Sequence, residues 1–158
     1  MAYSDFTNLN KIRNDLNLQI KEQTDLFAEV TPLPPSESLL TTLKETVPLA
    51  LAINTEKARS ELIVTPLLLE LRRQTKPQIS FFSGNDFNVD VKKGLNSDCD
   101  FIISRSPEQL TIVAPVAVIV EAKNENIKAG LGQCIAALFA SQLFNQQQGK
   151  ELTVFMEP

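Results

Sequence analysis

VAVIVEAKNENI, residues 116–127, begins inside the most apolar stretch of the chain and ends in charge. No residue from Ile112 to Val120 is charged, and the run is rich in β-branched side chains, the composition of a buried strand. Glu121, Ala122 and Lys123 follow at once. Side chains alternate along a strand, so Glu121 and Lys123 are expected on one face and Ala122 on the other. Charge at the end of a buried strand costs heavily unless it is paired or bound to a cation. Either the strand has reached solvent there, or it delivers an acid and a base to a site.

Working outward, the chain after residue 77 reads as strands. QISFFSG (78–84), FNVDV (87–91), CDFIISR (99–105) and LTIVAPVAVIVEAK (110–123) are separated by Gly, Asn, Ser and Pro. Pro115 predicts a bulge or bend, because proline cannot complete a ladder. Ile127 to Gln148 reads as a helix closing at Gly149, and ELTVFME (151–157) as a final strand. Before residue 77 the periodicity is helical. Phe6, Leu9, Ile12, Leu16 and Ile20 form a stripe within residues 6–29 that needs a partner surface. TPLPPS (31–36) ends it, and Ser36 caps a second helix to about Lys44, with Pro48 near the next junction. TEKARSELIVTPLLLELRRQ (55–74) predicts a third, capped by Thr55 and kinked or broken at Pro66. This order predicts an α+β fold with helices covering a mixed sheet. It divides into a helical extension over residues 1–50 and a core over 51–158.

Composition removes whole classes of chemistry. The 158 residues hold no histidine, so Ser-His-Asp and Cys-His catalysis and imidazole zinc sites are excluded. What remains is carboxylates, lysines and a hard, oxygen-preferring cation such as Mg²⁺. A single tyrosine and no tryptophan leave few stacking platforms for single strands. The net charge of −4 gives no overall attraction for nucleic acid, so DNA contact requires a local patch. Arg72, Arg73 and Lys76 form one basic cluster and Lys92 and Lys93 another, with Arg105 and Lys128 as flanking candidates. Cys99 and Cys134 have no metal-ligand spacing and read as small buried hydrophobes. Neither a signal peptide nor an apolar run of bilayer length is read from the sequence, so a reduced, cytoplasmic protein is expected.

An acid-x-Lys tripeptide is expected about once by chance in a chain of this length, and Asp90-Val91-Lys92 is a second instance. The apolar run before Glu121 distinguishes the first from the second, which reads as a turn. Three further residues complete a constellation. Asp100 heads an apolar strand, with Asp98 in the preceding turn as its competitor. Glu61 lies on the helix before the sheet, where a pair with Lys57 is the alternative reading, and Gln133 lies early on the helix after Lys123. Helix acid, strand acid, acid-x-Lys and helix polar residue, in that order, resemble the PD-(D/E)xK nuclease superfamily with its restriction-endonuclease-like fold. The blocks KARSELI, FFSG, FNVD, GL, CDF, VEAKNENI and GLGQC are similar to those of a group of small, largely cyanobacterial proteins, over about residues 57–145.

The resemblance implies a Mg²⁺-dependent (or Mn²⁺-dependent) endonuclease acting on DNA. On it, Asp100 and Glu121 hold the cation, with the Ala122 carbonyl as a third ligand. Lys123 orients water or stabilises charge, Glu61 serves a second cation, and Gln133 orients the site. Arg72, Arg73, Lys92 and Lys93 are the candidates for DNA. Cys99 stands where the motif has proline. The alternative is a catalytically silent member of the same fold that binds nucleic acid or protein. A homodimer joined through the N-terminal helix could supply a composite groove.

Overall fold

A computed structural model describes residues 2–23, 25, 27–75 and 78–152. Its architecture is α+β. Three strands, β1 (Ser80–Asp86), β2 (Asp98–Ser104) and β3 (Val116–Val120), form one antiparallel sheet in that order. The helices are α1 (Leu9–Leu16), α2 (Glu37–Ile53), α3 (Glu56–Arg59), α4 (Thr65–Gln74) and α5 (Ile127–Gln147), and a π-helical turn, Ser60–Val64, joins α3 to α4.

Phe82 pairs with Ile102 and Ile102 with Ile119, so the three side chains form a row across one face of the sheet. Ala136, Ala137 and Ala140 of α5 pack into the same core, and their small side chains let the helix lie close to the strands. Tyr3, Phe6, Ile12 and Leu16 complete that core. The apolar stripe of the N-terminus thus finds its partner surface within the chain. Gly132 makes this possible, because a Cβ there would stand 2.0 Å from the Phe6 carbonyl oxygen. α5 is also long and apolar enough, at a mean hydropathy of 1.3, to match a membrane span by length and composition. That runs against the sequence reading, but its alanine face is committed to the sheet.

Several elements differ from the sequence expectation. α1 stops at Leu16, where Asn17 takes a left-handed φ of 52°, so Ile20 lies outside it. α2 continues past Lys44 and through Pro48 to Ile53, which places residue 50 inside a helix. Lys44 and Pro48 are both exposed, so the carbonyl freed by the proline can meet water. FNVDV forms no strand: Asp90 caps the 3₁₀ turn Val91–Lys93 and bridges to Leu95. Turn chemistry outweighed alternation there. β3 starts only at Val116, after a cis Ala114–Pro115 bond, and the β2–β3 register shifts between Ile103 and Ser104. Pro66 follows closely on the π-helical turn, whose flanking residues Arg59, Val64 and Thr65 keep helical dihedrals, so the expected kink or break is a widened turn in a continuous helix. Of the expected last strand, 153–157 lie outside the described residues, as does Lys76.

Candidate active site at the end of strands β2 and β3

Phe101 pairs with Val120, so the register carried one step further sets Asp100 opposite Glu121. The strand ends at Val120, and the alternation expected of Glu121 and Lys123 ends with it. Backbone and side chains then interlock. Asp100 Oδ2 accepts the Ala122 N–H at 2.7 Å, which ties the end of β2 to the segment leaving β3. Gln133 Nε2, on α5, donates to Glu121 Oε2 at 2.8 Å. Lys123 Nζ lies 3.5 Å from Glu56 Oε1, at the start of α3. Asp100, Glu121, Lys123 and Gln133 thus occupy one end of the sheet, as the sequence predicts.

Glu121 is the electrostatic centre of the group. Burial, reinforced by the negative charge of Asp100 and opposed by Lys123, pushes its pKa up to about 7. Its Oε1 is buried and makes no hydrogen bond among the described residues. The thiol beside it, a weak donor, belongs to Cys99. Cys99 is fully buried, and burial, together with the charges of Glu121 and Asp100, pushes it up to about 12. It is a neutral packing group and not a nucleophile. Cys134, on α5, is likewise raised by burial and by Glu121.

Asp100 and Ala122 line an open cleft of about 410 Å³ between the sheet and the α3–α4 segment. Its opposite wall carries Glu56, Lys57, Ser60, Glu61 and Thr65. The wide π-helical turn lies here, and Thr65 Oγ1 donates to the Ser60 carbonyl at 3.0 Å. Gly84 sits on the sheet side with a φ of 64°, so no side chain fills the space beside Asp100.

The remaining candidates fall differently. Glu61 reaches the cleft but pairs with Lys57 at 3.1 Å, both side chains well exposed, which is the ordinary i,i+4 contact of a helix surface. Asp98 is exposed at the strand start, one place before the buried Cys99, so Asp100 is the strand acid that reaches the cleft. Arg72, Arg73, Lys92 and Lys93 do not line the cleft. Arg73 pairs with Glu70 at 2.9 Å and Lys93 with Asp90 at 3.8 Å. Arg105 follows the far end of β2 from Asp100 and donates its N–H to the Pro115 carbonyl.

Sequence reasoning missed Glu56 and Gly130. Glu56 faces Lys123 only because the turn after α2 brings α3 to the segment after β3. Two further contacts fasten the same junction: Asn124 Nδ2 donates to the Asn54 carbonyl at 3.1 Å, and Arg59 lies 3.7 Å from Glu125. Gly130 is where the Lys123 stem crosses α5. A Cβ there would stand 2.8 Å from Lys123 Cγ and 2.9 Å from its Cε. GLGQC therefore has a physical reading: Gly130 admits the lysine, Gly132 admits the N-terminal backbone, and Gln133 holds Glu121. The quoted block was the signal available in the sequence. Among the described residues no three of His, Cys, Asp or Glu gather closely enough to hold a metal ion by themselves. No family model, no curated protein and no solved structure matches the chain.

Proposed function

We propose that the protein is a Mg²⁺-dependent endonuclease of the PD-(D/E)xK kind, hydrolysing DNA phosphodiesters at the end of β2 and β3. The observation that carries this reading is the Asp100–Glu121 pair, in which a buried carboxylate oxygen has only the weak Cys99 thiol beside it, next to a second acid and a lysine. Two like charges at a partly buried site favour a cation between them. The donors on hand, Asp100, Glu121 and the Ala122 carbonyl, are all oxygens and fit a hard divalent ion. Three protein oxygens suit Mg²⁺, which keeps several of its waters and takes oxygens from the phosphate. When bound, the cation would neutralise phosphate charge and lower the pKa of a coordinated water.

The chain's own groups do the rest. Gln133 fixes Oε2 of Glu121, and Oε1, which has only the weak Cys99 thiol beside it, is the oxygen that would go to the cation. Asp100 spends Oδ2 on the Ala122 N–H and keeps Oδ1 for the cation. Lys123 offers an ammonium to a phosphate oxygen or to the attacking water, stabilising charge as it develops. Glu61 has room in the cleft for a hydrated second ion once Lys57 swings away. Arg72, Arg73, Lys92 and Lys93 are available for more distant phosphates.

The test is cleavage of plasmid and short duplex DNA with Mg²⁺ or Mn²⁺. Wild type should cut, and Asp100→Ala, Glu121→Ala and Lys123→Ala should each fail to cut while folding normally. Full activity in any variant removes that residue from the site. One observation favours a silent binding module instead: Lys123 is paired with Glu56, and the cleft lining holds the acids Glu56, Glu61 and Asp100 against the single base Lys57. Metal-independent DNA or protein binding without cleavage would decide for it.

A further inference from the structure

We infer that Glu56 and Gly130 are positioning residues for Lys123, one gripping its ammonium and the other providing the floor on which its stem lies. This rests on the hydrolase reading for its consequence, but the placement is a property of the chain itself. A lysine ends in a compact charge on a flexible four-carbon stem, and left free it samples many rotamers. Here the stem lies against α5 at Gly130, where Cγ, Cδ and Cε would all come within 3.0 Å of an added Cβ. The whole stem, not only its tip, would have to move for any other residue. At the far end, Glu56 meets Nζ at 3.5 Å from the opposite wall of the cleft. The lysine side chain is only 22% exposed, whereas that of Glu56 is 51% exposed, so the carboxylate is the movable partner.

The backbone that carries Glu56 is held in place. It opens α3, whose first turn is capped by Thr55 through the Ala58 N–H at 3.1 Å. The neighbouring Arg59–Glu125 and Asn124–Asn54 contacts fasten the same two segments together. The lysine is thus clamped between α5, α3 and its own loop, beside Asp100 and Glu121. A lysine so placed can meet a phosphate oxygen without first losing side-chain freedom, which is where orientation contributes to rate. Neither Glu56 nor Gly130 need touch the substrate.

Gly130→Ala separates positioning from folding. Alanine is the better helix former, so a purely structural glycine at this interior position of α5 predicts equal or higher thermal stability and unchanged chemistry. The clamp predicts a stable protein whose lysine is displaced. The readout independent of activity is ¹⁵N relaxation of the Lys123 ammonium in the metal-free protein, with its signal assigned by its loss in Lys123→Arg. Its order parameter should fall in both Gly130→Ala and Glu56→Gln. In Mg²⁺-dependent DNA cleavage, kcat should drop at least tenfold in each with little change in KM, and Glu56→Asp should recover part of the loss. An unchanged ammonium order parameter in both variants overturns the proposal, whatever the activity. Wild type that cuts no DNA under any divalent ion overturns the hydrolase reading, and the relaxation data alone then decide the clamp.

Discussion

The two ends of β3 bury polar groups of different charge. At the Val116 end, Asn145 of α5 is 4% exposed and fully matched. Its Oδ1 accepts the Val116 N–H at 2.7 Å and its Nδ2 donates to the Val116 carbonyl at 2.8 Å, as a neighbouring strand would. Ser104 beside it lies within hydrogen-bonding reach of the Val113 and Pro115 carbonyls. At the Val120 end, four residues further on, Glu121 has a buried oxygen with only the Cys99 thiol beside it among the described residues, and it sits opposite a second carboxylate. The same strand, sheet and covering helix support both ends. Ser80, across β2 at the Val116 end, also buries a hydroxyl without a partner among the described residues, so the contrast is one of charge: a neutral hydroxyl is left there, and a carboxylate beside a second carboxylate at Glu121.

The largest expected effect concerns chemistry. Glu121→Gln or Asp100→Asn should lower the cleavage rate by at least ~10³-fold while leaving circular dichroism unchanged, since each removes charge from the cation's ligands. Cleavage within tenfold of wild type would erase the contrast between the two ends. At the opposite end, Asn145→Ala should leave cleavage chemistry alone and unpair two buried backbone groups. A loss of about 2–4 kcal/mol in urea unfolding is expected from the usual penalty for such groups. A neutral result would mean that water replaces the amide. Gly132→Ala, which drives a Cβ into the Phe6 carbonyl, should cost about 1–3 kcal/mol as an overpacking change.

Smaller still is the pH effect of Glu121. Its pKa is raised in the folded protein, so the folded state holds the proton more tightly than the unfolded chain does. Stability without metal is then greatest below the usual glutamate value, declines as pH rises through the window from about 4.3 to about 7, and is flat above it. Allowing for partial solvent screening, the decline should be about 1–2 kcal/mol. Glu121→Gln should remove it and leave the variant more stable than wild type at pH 8. A wild-type profile that rises over that window would contradict the burial and repulsion assigned to Glu121. The smallest effect is expected from Arg72→Ala with Arg73→Ala. Together they should weaken DNA binding less than tenfold and make its salt dependence shallower; an unchanged slope moves the DNA path elsewhere.

What was legible in the sequence follows from distance along the chain. The apolar run before Glu121 marked β3, and the register of one short antiparallel pair then fixed Asp100 opposite Glu121. Gln133 lies ten residues past Lys123, within reach of helical spacing. Glu56 was illegible because its meeting with Lys123 depends on how the turn at Asn54 and Thr55 sets α3 against the loop after β3. Glu61, on the same helical segment, was singled out for a cation and not for the lysine; only the fold shows that Glu56 is the acid that meets Lys123. The N-terminal stripe was read as needing a partner surface, but which surface was illegible, because nothing local says that Gly132 opens a path for it on α5. FNVDV was lost to turn residues whose hydrogen bonds, Asp90 to Lys93 above all, alternation does not capture.

The most direct test of the central claim is calorimetric titration of Mg²⁺ and Mn²⁺ into wild type, Glu121→Gln and Asn145→Ala at pH 8, with folding verified in each. Wild type and folded Asn145→Ala should bind the ion, and Glu121→Gln should not. Equal binding by wild type and Glu121→Gln, or no binding by wild type even with DNA present, would contradict a cation site at Glu121.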